Sequence, residues 1–211
     1  MKRTIFSVVI VMALLGTTSC DKLTNSKDTL QAKKEFDFQT LSKPNEFKEY
    51  YDGILSKAGE NAKVMDEVEF VITRPSVEGP IKLEGQPDNL YMHIIYQDPA
   101  DKKKIEQVEY HNSLGWQEPQ QKEIMVVGLN KEKYRLEDDL FDFTQISVDL
   151  LNKVIADSMA KYKDEAKYEY QYVNKLVINE ENIIVSIHGK LKGSGEENTK
   201  KYVADLKGNS R

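Results

Sequence analysis

Twice along this chain an amphipathic helical stripe is followed by a series of short β-like runs. That order constrains the fold more than any other feature of the sequence. The first stripe runs from Asn45 to about Gly59, with Phe47, Tyr50, Tyr51, Ile54 and Ala58 at helical spacing. Asn45 is placed to cap it and Gly59 to end it. Val68–Thr73, Leu90–Tyr96 and Ile105–Tyr110 then read as strands, with Ile124–Val127 as a fourth. The second stripe runs from Thr144 to about Tyr162. Its apolar positions Ile146, Leu150, Leu151, Val154 and Ile155 make a band wide enough to cover a sheet. Tyr170–Ile178, Ile183–His188 and Lys201–Leu206 follow, the last ending at Lys207-Gly208-Asn209. Consecutive strands on short connections favour antiparallel meanders. The expected fold class is therefore α+β, in two helix-then-antiparallel-meander units over residues 45–130 and 131–211. Each helix is expected to pack on one face of its own sheet.

The ends of the two units echo one another. Tyr110-His111-Asn112-Ser113-Leu114-Gly115 closes the last strand of the first, and Asp205-Leu206-Lys207-Gly208-Asn209 closes that of the second. Over residues 45–211 the order of elements resembles the PepSY-like and β-lactamase-inhibitor-protein-like lipoproteins and secreted proteins, many of them tandem α-β-β-β units. The resemblance lies in element order alone and carries no functional residue.

The first nineteen residues have the layout of a secretory signal. Lys2 and Arg3 give a positive start, Ile5 to Leu15 an apolar run, and Gly16-Thr17-Thr18-Ser19 a stretch of small side chains. The apolar run is too short to cross a bilayer core, which needs roughly 20 residues. Cys20 follows at once and is the only cysteine, so no intramolecular disulfide can form. Thr17-Thr18-Ser19-Cys20 resembles the lipobox of bacterial lipoproteins, with Thr17 where that pattern prefers Leu. The resemblance implies cleavage before Cys20, lipidation of its sulfur and a protein held at a bacterial membrane in the cell envelope, facing the periplasm or the surface. The alternatives are an ordinary secretory signal beside a chance cysteine and an uncleaved N-terminal anchor. Residues 20–44 are polar and lysine-rich as far as Lys34 and read as a flexible tether.

Charge and motifs exclude more than they assign. The net charge is −5, and removal of Lys2 and Arg3 makes it two units more negative. Such a chain has no long-range attraction for nucleic acid. Lys102-Lys103-Lys104 sits beside Asp101 and Glu106 and reads as a solvated loop. His93, His111 and His188 lack the spacing of a helical zinc site. Glu137, Asp138, Asp139 and Asp142 lack the alternation and glycine of a calcium loop, and read as acids gathered ahead of the second helix, where its dipole favours them. No G-x-S-x-G elbow occurs, and Gly193-Ser194-Gly195 reads as a hairpin loop. No metal, cofactor or catalytic set is expected.

Aromatic residues remain. Tyr168, Tyr170 and Tyr172 alternate with Glu169 and Gln171, a pattern that lines one strand face; Tyr91, Tyr96, Tyr110 and Trp116 add to the supply. A tyrosine-rich open sheet can bind a sugar or a partner. The alternative use is cross-strand packing with the hydroxyls at the rim. The expectation is a non-catalytic, membrane-anchored module for a protein or peptide partner, with Tyr168, Tyr170, Tyr172 and Trp116 as its binding candidates. A glycan- or lipid-binding lipoprotein is the alternative, and an envelope hydrolase a third reading. Intact mass of the protein from its native membrane should show residues 1–19 removed and acyl chains on Cys20; residues 1–19 retained, or a bare thiol, would overturn the anchor.

Overall fold

A computed structural model describes residues 37–73, 89–124 and 133–211. Cys20, the signal segment, most of the tether and Met125–Val127 of the expected fourth strand lie outside the described residues. Ile124, at the start of that strand, is irregular. Residues 36–211 form a compact unit of α+β class, in which two helices meet an antiparallel sheet. Helix α1 spans Pro44–Ala58 and α2 Val148–Tyr162. The strands are β1 Lys63–Thr73, β2 Asn89–Gln97, β3 Ile105–His111, β4 Gly115–Trp116, β5 Gln120–Lys122, β6 Leu140–Asp142, β7 Tyr168–Asn179, β8 Asn182–Leu191 and β9 Glu197–Asp205.

The two meanders do not make two sheets. The strand order is β4-β3-β2-β1-β7-β8-β9, so the first strands of both halves pair at the centre. Phe70 lies opposite Leu176 and Val71 opposite Lys175 in that antiparallel seam. Each helix therefore packs on a shared sheet. Burying apolar area on one large sheet leaves fewer open edges than two small ones.

Both helices lie on the same face. Strand β2 shows why: Leu90, Met92, Ile94 and Tyr96 are all fully buried, while Tyr91, His93, Ile95 and Gln97 are half-buried. That is the period-2 alternation of a sheet covered on one side. Phe47 of α1 packs its ring 5.4 Å from Phe70 of β1. Leu151, Val154 and Ile155 of α2 join the same core with Leu176, Val185 and Ile187. Helix α1 is also tied to the segment that leads into α2, since the Tyr51 hydroxyl donates to the carbonyl of Ile146 at 3.0 Å and its ring packs on Phe143.

Two helix starts differ from expectation. Asn45 does not cap α1. Lys43 holds the cap position without a side-chain bond, and Pro44 opens the helix, where its missing N–H is no loss. Helix α2 starts at Val148 behind Ser147, whose hydroxyl accepts from the Leu150 amide. The acids before it thus do not serve its dipole. Leu140–Asp142 forms β6 instead, and Asp142 accepts from the Thr144 amide and pairs with Lys63 at 3.0 Å. Gly59 does end α1, with φ 83°.

Strand β1 changes partner along one side. Lys63–Met65 pair with β6 and Glu67–Val71 with β7, while β2 lines the other side with an irregularity between Met65 and Glu69. Asp66 stands at the handover with φ 61°, a left-handed conformation that Asp tolerates better than most side chains. A β-branched residue there pays roughly 1–2 kcal/mol. Asp66→Val should lower unfolding stability by about that amount while Asp66→Gly holds it, and Phe70→Ala should cost about 3–5 kcal/mol by cavity formation; urea titrations of the three variants check both.

Candidate functional site

The face opposite the helices carries an ordered array. Register aligns side chains across the sheet in rows. One row runs Glu109, His93, Glu69, Val177, Ile184, Val203 from β3 to β9. The next runs His111, Tyr91, Val71, Lys175, Ser186, Lys201. Among the described residues both α-helices and their core lie on the other side. Most members of the rows are half-buried, as side chains on a sheet are when their neighbours shield their stems.

The array has two chemical halves. On β1 to β3 it is acidic and aromatic. Tyr91 stacks parallel to His93 and tilts against His111 at 5.0 Å between ring centres. The Tyr91 hydroxyl donates to Glu109 Oε1 at 3.2 Å, and the other carboxylate oxygen of Glu109 lies 3.5 Å from His111 Nε2. Glu69 pairs with Lys175 across the seam. Toward β9 the first row becomes aliphatic through Val177, Ile184 and Val203. Burial, and then the negative charge of Glu109, push the Tyr91 phenol up to about 12.

The tyrosines singled out from the sequence do not all share one face of the sheet. Two irregularities in the β7–β8 pairing, between Tyr168 and Tyr170 and between Val173 and Lys175, break the strict alternation. Tyr168 turns to the helix side, where its hydroxyl donates to Asn198 Oδ1 at 3.0 Å and its ring lies beside Gly189. Tyr170 and Tyr172 stay on the open side. Tyr172 is only 3% exposed, because Phe38 packs edge-on against it at 5.2 Å and His188 meets it from β8. Tyr170 is half-buried, with its hydroxyl on Glu197 at 2.8 Å. Trp116 lies toward the far edge of the sheet on β4. It stands edge-on to Tyr110 and covers Gly53 of α1, where an added Cβ would meet its indole nitrogen at 2.6 Å. Gly53 is thus glycine for close approach. Cross-strand packing takes most of this aromatic supply.

What sequence reasoning missed is the pair of rows. The signal was present in the alternation of β2, whose second set, Tyr91, His93 and Ile95, is not buried under a helix. Among the described residues no cluster of His, Cys, Asp or Glu is placed to hold a metal ion, and no helix is long and apolar enough to cross a membrane. An acidic cleft lies where β6 and β7 abut β1, lined by Asp66, Glu67, Asp138, Asp139, Glu180 and Glu181. No protein-family model matches the chain, and no curated protein or solved structure matches it.

The phenol of Tyr91 supplies a pH test. Its folded value lies above the ordinary 10, so the neutral form is the one the fold favours. That contribution is whole below pH 10 and is lost as pH rises from 10 through about 12. Glu109→Gln should bring the ionisation of this phenol back toward 10 without reaching it, since burial remains. Difference absorbance of phenolate, wild type against Tyr91→Phe in each background, reads the shift.

Proposed function

We propose that the protein is a non-catalytic lipoprotein of the bacterial cell envelope that binds a protein or peptide partner through the helix-free face of its sheet. The observation that carries this reading is the pair of aligned rows across β3, β2, β1, β7, β8 and β9. A surface with imidazole, carboxylate and phenol groups at one end and aliphatic side chains beside lysines at the other suits a polypeptide, which offers apolar and charged groups along its length. A rigid sheet holds such groups in place, so little side-chain order is lost on binding. The lipid on Cys20 would keep the body at the membrane, and the polar tether after it would let the body stand clear.

We further propose that residues 45–130 and 131–211 are two copies of one α-β-β-β unit. Support comes from the mirrored order β3-β2-β1 against β7-β8-β9, each meander preceded by its helix. A duplicated unit whose first strands pair would make one broad face from two small ones.

A glycan or lipid ligand fits less well. Three clefts among the described residues are open to solvent and each carries several charged groups, one of them beside Tyr168 and Tyr170, whereas such ligands favour concave apolar sites with few polar groups.

Photo-crosslinking tests the reading. A photoreactive residue at Val71 or Ile184, in the middle of the rows, should trap one specific protein or peptide in native envelopes. The same probe at Lys48, on the outer side of α1, should not. Equal capture from both sites, or none from either, would reject the face as the binding surface. Val71→Glu should weaken capture from Ile184 at least about tenfold if the rows act as one surface, the scale of a lost central contact.

A further inference from the structure

The two edges of the sheet are finished differently. The outer side of β3 is covered by β4 at Tyr110 and His111 and by β5 at Ile105–Gln107. The outer side of β9 is covered only at its end. There Ser210 bridges Ala204, and the Arg211 amide donates to the Val203 carbonyl at 3.0 Å. Since Val203 points its carbonyl outward, so do the residues at every second position before it: Lys201, Thr199 and Glu197. The Lys201 carbonyl accepts the Tyr162 hydroxyl at 2.9 Å, which leaves it one lone pair. Among the described residues, no strand pairs with this side of β9 from Glu197 to Tyr202.

The charge pattern of this edge is directional. Glu196-Glu197-Asn198-Thr199-Lys200-Lys201 carries acids at its start and bases at its end. Lysines on an open edge ordinarily repel a second strand. Here that holds for a parallel neighbour, which would set lysine against lysine. An antiparallel copy of the same segment sets lysine against glutamate.

We propose that two copies of this chain pair antiparallel through β9, about a two-fold axis at Thr199, to form one continuous sheet across the dimer. The register follows from two independent constraints. Outward-pointing residues must face outward-pointing residues, which allows Thr199 opposite Thr199 with Glu197 opposite Lys201 at both ends. Opposite charges must also meet, and this register brings Glu197 of each copy against Lys201 of the other. Of the two neighbouring registers with the same backbone parity, one sets Thr199 against Lys201 and loses both ion pairs, and the other sets Lys200 against Glu196, which lies outside the strand. Glu197 rests inward in the single chain, 2.8 Å from the Tyr170 hydroxyl with His188 Nε2 at 3.4 Å, so pairing exchanges these contacts for Lys201 of the other copy. A two-fold interface is self-complementary by construction, and this segment meets that demand in its sequence. The interface is the free edge of β9, whereas the partner-binding face is the broad side of the sheet; Lys201, last in the second row, stands where the two meet.

Sedimentation equilibrium of the full chain in density-matched detergent tests it. Wild type should give twice the mass of its own single chain at micromolar concentration, with dissociation rising as salt screens the exposed ion pairs. Lys201→Glu and Glu197→Lys should each raise the dimer dissociation constant at least about tenfold, by placing like charges opposite at both ends. An equal mixture of the two variants should recover the dimer, since each then offers the charge the other lacks. That recovery also excludes misfolding as the cause of the single losses. A wild type that stays monomeric up to the highest soluble concentration, a dimer indifferent to Lys201→Glu, or a mixture that stays monomeric would each overturn the pairing.

Discussion

Everything in this body hangs on the seam between β1 and β7. Five residues of β1, Glu67 to Val71, meet Asn179 to Lys175 of β7, and through them two meanders become one sheet. On the helix side the seam places Phe70 against Leu176, under Phe47 of α1 and in the same core as Leu151 and Val154 of α2. On the open side it joins Glu69 to Lys175 and lets the rows run unbroken from β3 to β9. Without this pairing each half would be a smaller sheet with one helix, exposing a long strand that is central in the whole. A small sheet of that kind buries too little apolar surface to offset the entropy of ordering its chain.

Local features of the elements were legible because they depend on neighbouring residues. The stripe Phe47, Tyr51, Ile54, Ala58 places α1 within a residue of its observed bounds, and Gly59 stops it where a left-handed residue is needed. The alternating runs of β2, β3 and β8 stand out for the same reason. What the sequence does not show is set by partners distant in the chain. Leu140-Phe141-Asp142 looks like an acidic lead-in to a helix and becomes β6 because Lys63–Met65 lie open to it. Tyr168 shares its spacing with Tyr170 and Tyr172, yet ends on the other face, because an irregular pairing with β8 shifts the pleat. Trp116 shows no strand signal, since β4 is two residues long and exists through its pairing with Tyr110 and His111.

The candidate surface shows the same division. Each strand's alternation tells which of its residues avoid the helices. Only register tells that Glu109, His93 and Glu69 line up, or that Val177, Ile184 and Val203 continue the line. Tyrosine content drew notice first, but aromatic rings serve a core as readily as an interface. In this sheet Phe38, His188 and Gly53 take up rings that composition alone would assign to binding. The position of a side chain between its two cross-strand neighbours is a better guide to its use than its type.

The handover at Asp66 has a consequence for how the chain is made. A single strand takes its first hydrogen-bonding partners from β2, soon after it in the chain, and then waits for β6 and β7, which arrive only when most of the polypeptide has been synthesised. Pairings of such long separation slow folding, because a large loop must close before the contact repays it. A chain made from its N-terminus has β1 open along that side until then. During that interval Val68 and Phe70 have no strand on the flank that β7 later fills. Keeping that flank apart from other nascent chains until β7 arrives makes synthesis, rather than the finished body, the vulnerable stage for this fold.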